Sequence, residues 1–207
     1  MKIYVVGGAT NYANFIQDAE LVDSVKDADV VLFTGGEDVT PSLYGCKKHE
    51  TTYCNINRDR AEKAIFESVK PNQLCLGICR GSQFLCVMNG GLLVQDCEGH
   101  AMGRTHSITN GSIAYQITST HHQMQYPYNL DKDDYDLLFI STHRRSNYYD
   151  GEKIHENLID RYGEPEIVLY HKKGAPKCLA VQGHPEMMST SPVARMISDL
   201  IHKFINK

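Results

Sequence analysis

Short apolar runs alternate with amphipathic segments along the chain up to about residue 90. The predicted strands are 3–6, 30–33 and 74–77, and the predicted helices are about 14–26, 58–69 and 80–88. Apolar positions recur three or four residues apart in the helical segments, whereas the strands are continuous apolar runs. The expected inner faces of the first two helices are Phe15, Ala19 and Val22, then Ala61, Ala64, Ile65 and Val69. This order of elements indicates a parallel sheet covered on both faces.

The hydrophobic pattern changes after residue 92. Shorter strand-like runs at 113–117, 137–140 and 167–170 suit antiparallel pairs attached to the sheet. The last strand is predicted at 179–182, and Ser191-Pro192 is typical of a helix start. The helix that follows has a stripe of Val193, Met196, Ile197, Leu200, Ile201 and Phe204. The sequence therefore predicts an α/β fold, a three-layer sandwich around a mostly parallel sheet with a small antiparallel extension.

Composition narrows the classes of protein to consider. The chain has 207 residues, a length that favours one domain over 1–207, and its net charge of −4 leaves no basic excess for binding nucleic acid. No apolar run approaches the 18 or so residues of a membrane span, and the N-terminus lacks the pattern of a secretory leader. A cytoplasmic protein is expected.

The cysteine count of seven is odd, which argues against a disulfide framework and for free thiols in a reducing compartment. Most of these cysteines are expected to be small buried apolar residues. Cys75 in the middle of a strand and Cys86 on the inner stripe of a helix fit that expectation. The remaining question is whether one cysteine differs.

Cys79 differs because it lies between a predicted strand and a predicted helix, in the pattern Gly77-x-Cys79-x-Gly81. This pattern is the thiol version of the strand, sharp turn and helix that expose a nucleophile. The helix N-terminus favours a thiolate, and the N–H of Arg80 faces the same space, where it would stabilise an oxyanion. The alternative interpretation is a buried thiol between two unrelated glycines.

The segment 180–186, Ala-Val-Gln-Gly-His-Pro-Glu, supplies a candidate general base. His184 follows an apolar strand and would lie at the same edge of the sheet as Cys79. Glu186 is placed to accept a hydrogen bond from the imidazole and to fix its tautomer. The alternative is a surface His-Pro turn with a solvated glutamate.

Several segments resemble the class I glutamine amidotransferase family, and most closely its γ-glutamyl hydrolase branch, which is γ-glutamyl-γ-aminobutyrate hydrolase-like and is classed as peptidase C26. The resemblance rests first on Gly-Ile-Cys-Arg-Gly-Ser-Gln at 77–83 and Val-Gln-Gly-His-Pro-Glu at 181–186. Further matches are the loop 34–45, Arg58-Asp59 with Glu62, Gly90-Gly91 with Gln95-Asp96, and Ser119 with His121-His122-Gln123. The resemblance implies a flavodoxin-like order of the sheet.

The resemblance also implies a role for each matching residue. Cys79 would be the nucleophile, His184 the general base and acid, and Glu186 the residue that orients the histidine. The oxyanion hole would consist of the N–H groups of Arg80 and of Gly36 or its neighbour Gly35. The substrate contacts would come from Gly35, Gln83, Ser119, His121 and His122.

The function implied by the resemblance is cysteine-dependent hydrolysis of γ-glutamyl amide bonds through a thioester, without a cofactor or a metal. One alternative is a glutaminase subunit that delivers ammonia to a separate synthetase or nucleotide-modifying partner. Another is a protein that binds a ligand without turnover, against which the intact Cys79, His184 and Glu186 argue. A homodimer is left open.

Some residues depart from the family pattern or have no assigned role. Only 34 residues precede Gly35, fewer than is usual in the branch, so a remodelled acceptor side is expected. Gly183 stands where the family often has an aromatic residue, which would either open the pocket rim or loosen the strand end. The loop residues Cys46, His49 and Cys54 have ligand chemistry but not a standard zinc spacing. The segment 143–149 is expected to be an exposed loop, with a substrate contact by Arg144 or Arg145 as a further hypothesis.

Overall fold

The computed structural model describes residues 1–205. Within that range the strands are β1 Lys2–Val5, β2 Glu20–Leu21, β3 Val30–Phe33, β4 Leu74–Ile78, β5 Leu92–Val94, β6 Asp96–Cys97, β7 Arg104–Thr109, β8 Ala114–Ser119, β9 Met124–Tyr126, β10 Tyr135–Ser141, β11 Tyr149–Asp150, β12 Pro165–Tyr170 and β13 Lys177–Val181. The α-helices are α1 Ile56–Ser68, α2 Arg80–Met88, α3 Glu156–Tyr162 and α4 Pro192–Ile205.

The main sheet of the described chain has nine strands in the order β2-β1-β3-β4-β13-β12-β10-β7-β8. Its first five strands are parallel and have the flavodoxin-like order. The topological switch point, where the strand order changes direction, lies between β1 and β3. From β13 onwards the pairing is antiparallel through β12, β10, β7 and β8. The predicted α/β fold is therefore confirmed, and its antiparallel extension consists of four strands.

Helices cover both faces of this sheet. Val31 and Phe33 of β3 pack on the side of α1 and α2, whereas Val30 and Leu32 pack on the side of α4. This alternation follows from the two-residue period of side chains along a strand. The structure thus has three layers, with an apolar core on each side of the sheet.

The predicted helix at 14–26 is wrong. A 3₁₀ turn at Thr10–Ala13 precedes this segment, which instead contains the short edge strand β2 and the start of a second 3₁₀ turn at Val25–Asp27. Asp18 has a left-handed φ of 55°, which ends any helical run, and Ala19 of the expected inner face is exposed. Pairing of β2 with β1 satisfies the backbone at this edge in place of helical hydrogen bonds.

Helix α1 is present, but its predicted inner face is only partly right. Val69, just after the helix, is buried and Ile65 half-buried, whereas Ala61 and Ala64 are exposed. The buried residues of α1 are the charged Asp59 and Glu62. A carboxylate is buried at little cost only when it is paired, so this face is expected to meet a cation. That cation is Arg80, described below.

No helix among residues 1–205 is long and apolar enough to cross a membrane.

Candidate active site

Cys79 lies in a strained turn between β4 and α2. Its φ of 53° and ψ of −111° lie outside the usual regions for a residue with a side chain. The turn requires two glycines, because a Cβ on Gly77 would overlap the backbone of Gly81, and one on Gly81 would overlap the carbonyl of Phe33. The spacing of the two glycines is therefore a packing requirement of this turn. Residues 77–81 form the cysteine elbow.

His184 lies beside Cys79 because their strands are neighbours. β4 and β13 pair in parallel with Ile78 opposite Val181, and the N–H of Cys79 donates to the carbonyl of Val181 at 2.8 Å. The backbone N–H of His184 donates to Oγ1 of Thr118 in β8 at 2.6 Å. The antiparallel half of the sheet thus helps to position a residue of the parallel half.

The imidazole of His184 is held by Glu186, whose Oε1 lies 2.6 Å from Nδ1. Burial alone would lower the pKa of His184, but its interactions with Cys79 and Glu186 outweigh burial and raise the pKa to about 10. The ring is consequently protonated near neutral pH. A protonated imidazole beside a sulfur atom is an arrangement that favours a thiolate nucleophile.

Gly35 and Gly36 follow the end of β3, and Gly35 lies close to both Cys79 and His184. A Cβ built on Gly35 would lie 3.1 Å from Cε1 of His184 and 3.6 Å from Cβ of Cys79. Arg58 fixes this loop, because its Nη2 donates to the carbonyl of Gly35 at 2.8 Å. The glycine loop therefore lies against the cysteine elbow. The N–H of Arg80, as the first residue of α2, has no acceptor within that helix.

The side chain of Arg80 points away from this space and into the protein. It is 2% exposed and forms ion pairs with Asp59 and Glu62 of α1. Glu62 also accepts from Nε of Arg58 at 2.8 Å. The Arg-Asp-x-x-Glu segment therefore links the elbow to the glycine loop, and Arg80 offers the candidate site only its backbone.

Tyr12 is a site residue that the sequence reasoning missed. Its hydroxyl oxygen would lie 2.7 Å from a Cβ on Gly35, and its ring centroid is 6.1 Å from that of His184. Burial, then the charges of Glu186 and Cys79, raise the pKa of Tyr12, whereas a hydrogen bond from the Gly35 backbone lowers it. The sequence has no motif at this tyrosine, which lies between the predicted strand 3–6 and the predicted helix at 14–26.

Three predicted substrate-contact residues are buried and bound to the protein. Gln83 Nε2 donates to the carbonyl of Gln123 at 2.9 Å, and Ser119 Oγ donates to the carbonyl of His100 at 2.8 Å. His121 Nδ1 lies 3.0 Å from the carbonyl of Gln123, and burial, then the neighbouring His100, hold its pKa well below the usual value. These contacts fix the loop 119–123 beside the site.

His122 points away from Gln83, Ser119 and His121. Its Nε2 lies 3.2 Å from Oδ1 of Asp38, and its Nδ1 lies 3.4 Å from Oδ1 of Asp96. The hydrogen bond with Asp38 raises the pKa of His122 against the opposing effect of burial. This half-buried histidine therefore connects the loop after β3 to the segment around β6.

The other loop residues have protein partners as well. Cys46 Sγ contacts the carbonyls of Tyr44 and Glu152, while His49 pairs with Asp150 at 3.4 Å. Arg144 pairs with Glu156 and Asp160, and Arg145 Nε donates to the carbonyl of Gly99 at 3.0 Å. The contacts of these four residues are thus with the protein itself.

Gly183 is buried rather than at a pocket rim. A Cβ at this position would lie 2.5 Å from Cγ1 of Ile117 and 2.9 Å from the carbonyl of Thr118. Close packing of β8 on the end of β13 therefore requires glycine here, and the same approach brings Thr118 to the N–H of His184.

The fold and the cysteine elbow place the chain among the class I glutamine amidotransferase-like proteins. It belongs to the family described as peptidase C26, whose model matches residues 3–186. This assignment confirms the resemblance found in the sequence.

Known relatives agree with this family. The glutamine amidotransferase-like YvdE homolog of Lactococcus lactis subsp. cremoris is 37% identical over 102 residues, which are 45% of this chain and 50% of the relative. YvdE of Lactococcus lactis subsp. lactis is 29% identical over 171 residues, or 76% of this chain and 66% of that protein. The matches thus span only half to about two thirds of these relatives.

A structural relative supports the fold. The crystal structure of a protein described as a GMP synthase component from Thermoplasma acidophilum aligns with a TM-score of 0.59 and 18% identity, covering 100% of this chain and 92% of that one. At this identity the similarity concerns the fold alone.

Proposed function

We propose that this chain hydrolyses γ-glutamyl amide bonds, with Cys79, His184 and Glu186 as its catalytic triad. The observation that carries the proposal is the placement of a strained Cys79 beside His184, with Glu186 2.6 Å from the far side of the imidazole. A nucleophile, a base and an orienting carboxylate in this order are the requirements of covalent acyl transfer.

In the first half of the reaction, the Cys79 thiolate attacks the γ-carbonyl carbon of the substrate. The carbonyl oxygen becomes an oxyanion, which the N–H groups of Arg80 and of the Gly35-Gly36 loop stabilise. His184 donates its proton to the leaving amine as the C–N bond breaks. The products of this half are the free amine and a γ-glutamyl thioester on Cys79.

In the second half, a water molecule attacks the thioester while His184 accepts its proton. The C–S bond breaks, glutamate leaves and the protonated imidazole again faces the thiolate. Glu186 holds Nδ1 through both halves, so that Nε2 is the atom that moves protons. No step requires a group beyond the chain, the substrate and water.

Treatment with an electrophilic diazoketone analogue of glutamine, followed by peptide mass mapping, tests this proposal. We expect one label per chain, on Cys79, and protection by an excess of a γ-glutamyl amide. Cys79→Ala should lose labelling and lower hydrolysis by about 10⁴-fold or more, because the nucleophile is missing. Cys54→Ala is the matched control, since Cys54 is a partly exposed thiol in a loop.

Labelling of another cysteine, or retained hydrolysis by Cys79→Ala, would contradict the proposal. The protein as purified, with intact Cys79, serves as the reference for both measurements. Since the elbow is strained, Cys79→Ser provides a second variant that keeps a polar side chain of similar size at this position. Its folding is checked by thermal unfolding before its activity is compared.

The second candidate is a glutaminase that delivers ammonia to a synthetase. It shares every chemical step, and one structural relative bears the name of a synthase component. That relative supports only the fold, and the peptidase description of the family favours hydrolysis. Release of ammonia from glutamine that depends on an added partner would favour the second candidate, whereas release of diverse amines from γ-glutamyl conjugates by the chain alone would favour the first.

A further inference from the structure

Five buried ionisable side chains converge on the antiparallel side of the candidate active site. This histidine cluster consists of His100, His106, His121, Glu164 and Glu166, which are at most 4% exposed. Glu164 and Glu166 flank the start of β12, His106 lies in β7, and His100 and His121 lie in the loops before β7 and after β8. Neither the proposed reaction nor the family motifs used above assign a task to four of these residues; His121 alone was expected to contact substrate.

The nitrogen and oxygen atoms of the cluster lie at ligand-like separations. Nε2 of His106 is 2.6 Å from Oε1 of Glu166, and Nδ1 of His100 is 3.6 Å from the same oxygen. One atom each from His100, His106 and Glu166 lies within 4.8 Å of the others. Around a tetrahedral zinc ion with bonds of about 2.0–2.1 Å, ligand atoms are about 3.3 Å apart.

Several of these atoms have no hydrogen-bond partner within residues 1–205. They include both ring nitrogens of His100, Nδ1 of His106 and Oε2 of Glu166. His100 lies 3.2 Å from Glu164 and 3.6 Å from Glu166, but it has no hydrogen bond to either carboxylate. A fully buried imidazole with unsatisfied nitrogens is costly in a protein interior, and a coordinated cation removes that cost.

We propose that His100, His106 and Glu166 bind a divalent transition-metal ion, with zinc as the expected ion. Nδ1 of His100, Nε2 of His106 and a carboxylate oxygen of Glu166 are the ligand atoms. Two imidazoles and one carboxylate form a ligand set suited to zinc. The unpartnered Oε2 of Glu166 allows the carboxylate to rotate, which opens its short contact with His106 to the separation that coordination needs.

Glu164 supports this assignment from outside the ligand set. Its Oε2 lies 3.2 Å from Nε2 of His100, the ring nitrogen opposite the proposed ligand atom. Histidine ligands of metals usually donate their second nitrogen to a carboxylate or carbonyl, which fixes the ring and its tautomer. Oε1 of Glu164 is held independently by the N–H of Arg145 at 2.9 Å and the hydroxyl of Tyr149 at 2.7 Å.

The proposed metal has a structural role. The carbonyl of His100 accepts from Oγ of Ser119 at 2.8 Å and from the N–H of His121 at 3.2 Å. The metal would thereby join β7 and β12 to the loop beside the candidate active site. Because its ligands are buried, binding is coupled to folding, and the ion is retained through purification.

Metal analysis of the intact wild-type chain tests the proposal directly. The chain is expressed with added zinc, passed over a weak chelating resin and analysed by elemental mass spectrometry. We expect about one zinc per chain, and X-ray absorption should show only nitrogen and oxygen ligands. Prolonged treatment with a strong chelator should lower the unfolding temperature, and added zinc should restore it.

Variants separate this site from other zinc-binding groups. His106→Gln and Glu166→Gln should lose the zinc, whereas His143→Gln, a change in an exposed histidine, should retain it. Cys79→Ser should also retain it, which excludes the Cys79 thiol as a ligand. If the cluster variants do not fold, X-ray absorption of the wild type still distinguishes nitrogen and oxygen ligands from cysteine sulfur.

A folded wild-type chain that contains no metal after zinc-supplemented expression would overturn the proposal. Sulfur in the coordination shell would overturn it as well, because it would assign the ion to cysteines. In either case the cluster is a network of buried ion pairs. Labelling of Cys79 by the glutamine analogue is measured separately, so failure of the metal site is distinct from failure of the proposed function.

Discussion

The parallel and antiparallel halves of the sheet bury charged side chains in different ways. In the parallel half, the guanidinium of Arg80 forms ion pairs with the carboxylates of Asp59 and Glu62. In the antiparallel half, the histidine cluster brings imidazoles and carboxylates together while several of their atoms have no partner within the described chain. In the first network both carboxylates are paired with a guanidinium, although Nε of Arg80 has no partner within the described chain, whereas the second has the composition of a binding site.

This difference shows what each half contributes to the candidate active site. Arg80 and Arg58 hold the elbow and the Gly35 loop in fixed positions, so the parallel half sets the geometry of the nucleophile. The antiparallel half supplies Thr118, which holds the backbone of His184, and the loop 119–123. The position of the base therefore depends on both halves, whereas the nucleophile depends on one.

The largest expected effect is that of Arg80→Met. Removing the cation leaves Asp59 and Glu62 buried without their partner, and the loss of one member of a buried ion pair typically costs about 3–5 kcal/mol. We expect a fall of that size in the free energy of unfolding, measured with urea. The fall should be the same with zinc and with a chelator, because the carboxylates of this network pair with an arginine and not with a metal.

Arg144→Met is the matched control for this change. Arg144 pairs with Glu156 and Asp160, but its side chain is 42% exposed. Exposed ion pairs contribute about 0–1 kcal/mol, so the control should change stability little. Equal effects of the two substitutions, or an effect of Arg80→Met that appears only after zinc removal, would contradict the contrast between the halves.

The two halves also differ in how far the sequence predicts them. The elbow and the His-Pro-Glu segment are each contiguous, and their chemistry is encoded in spacings of two residues around Cys79 and His184. The strand β3 and the helix α2 were predicted at their observed bounds because their patterns are continuous. Local sequence patterns of this kind predict most of the parallel half.

Contacts between distant segments are less visible in the sequence. His100 and Glu166 come together through the pairing of β12 with β10 and of β10 with β7. Because they are far apart in the sequence, no motif or residue spacing predicts this contact. The charged inner face of α1 was missed for a related reason, since burial of Glu62 depends on Arg80 from another element. The roles proposed for the triad stay predictions until the labelling experiment is done.

A smaller effect is expected for Glu186→Gln. The carboxylate is one cause of the raised pKa of His184, so its loss should lower that pKa from about 10, as measured by NMR of the imidazole ring. Hydrolysis should fall by about a hundredfold, which corresponds to about 2.7 kcal/mol, because the base loses its orientation. Asp136→Asn, an exposed carboxylate paired with His171, is the control.

The sign of the pH dependence follows from the raised pKa. The proton on His184 is bound more tightly in the folded chain than at the ordinary value of 6.5, so its contribution to stability is complete below about pH 6.5 and is lost as pH rises towards 10. The difference in unfolding free energy between wild type and Glu186→Gln should therefore be larger at pH 6.5 than at pH 10. A difference that grows over this interval would contradict the assignment.

The smallest expected effect is that of Tyr12→Phe, which tests whether the segment between β1 and β2 contributes to the candidate active site. The hydroxyl of Tyr12 lies against Gly35 at the end of β3, where it can donate its proton to a substrate oxygen near Cys79. One such hydrogen bond contributes about 0.5–1.5 kcal/mol, so turnover should fall by about two- to thirteenfold at unchanged zinc content. Tyr53→Phe, a change in an exposed tyrosine, should leave turnover unchanged. An increase in turnover on Tyr12→Phe would show instead that the hydroxyl competes with the substrate for the Gly35 N–H, and the loop alone would then form that side of the oxyanion hole.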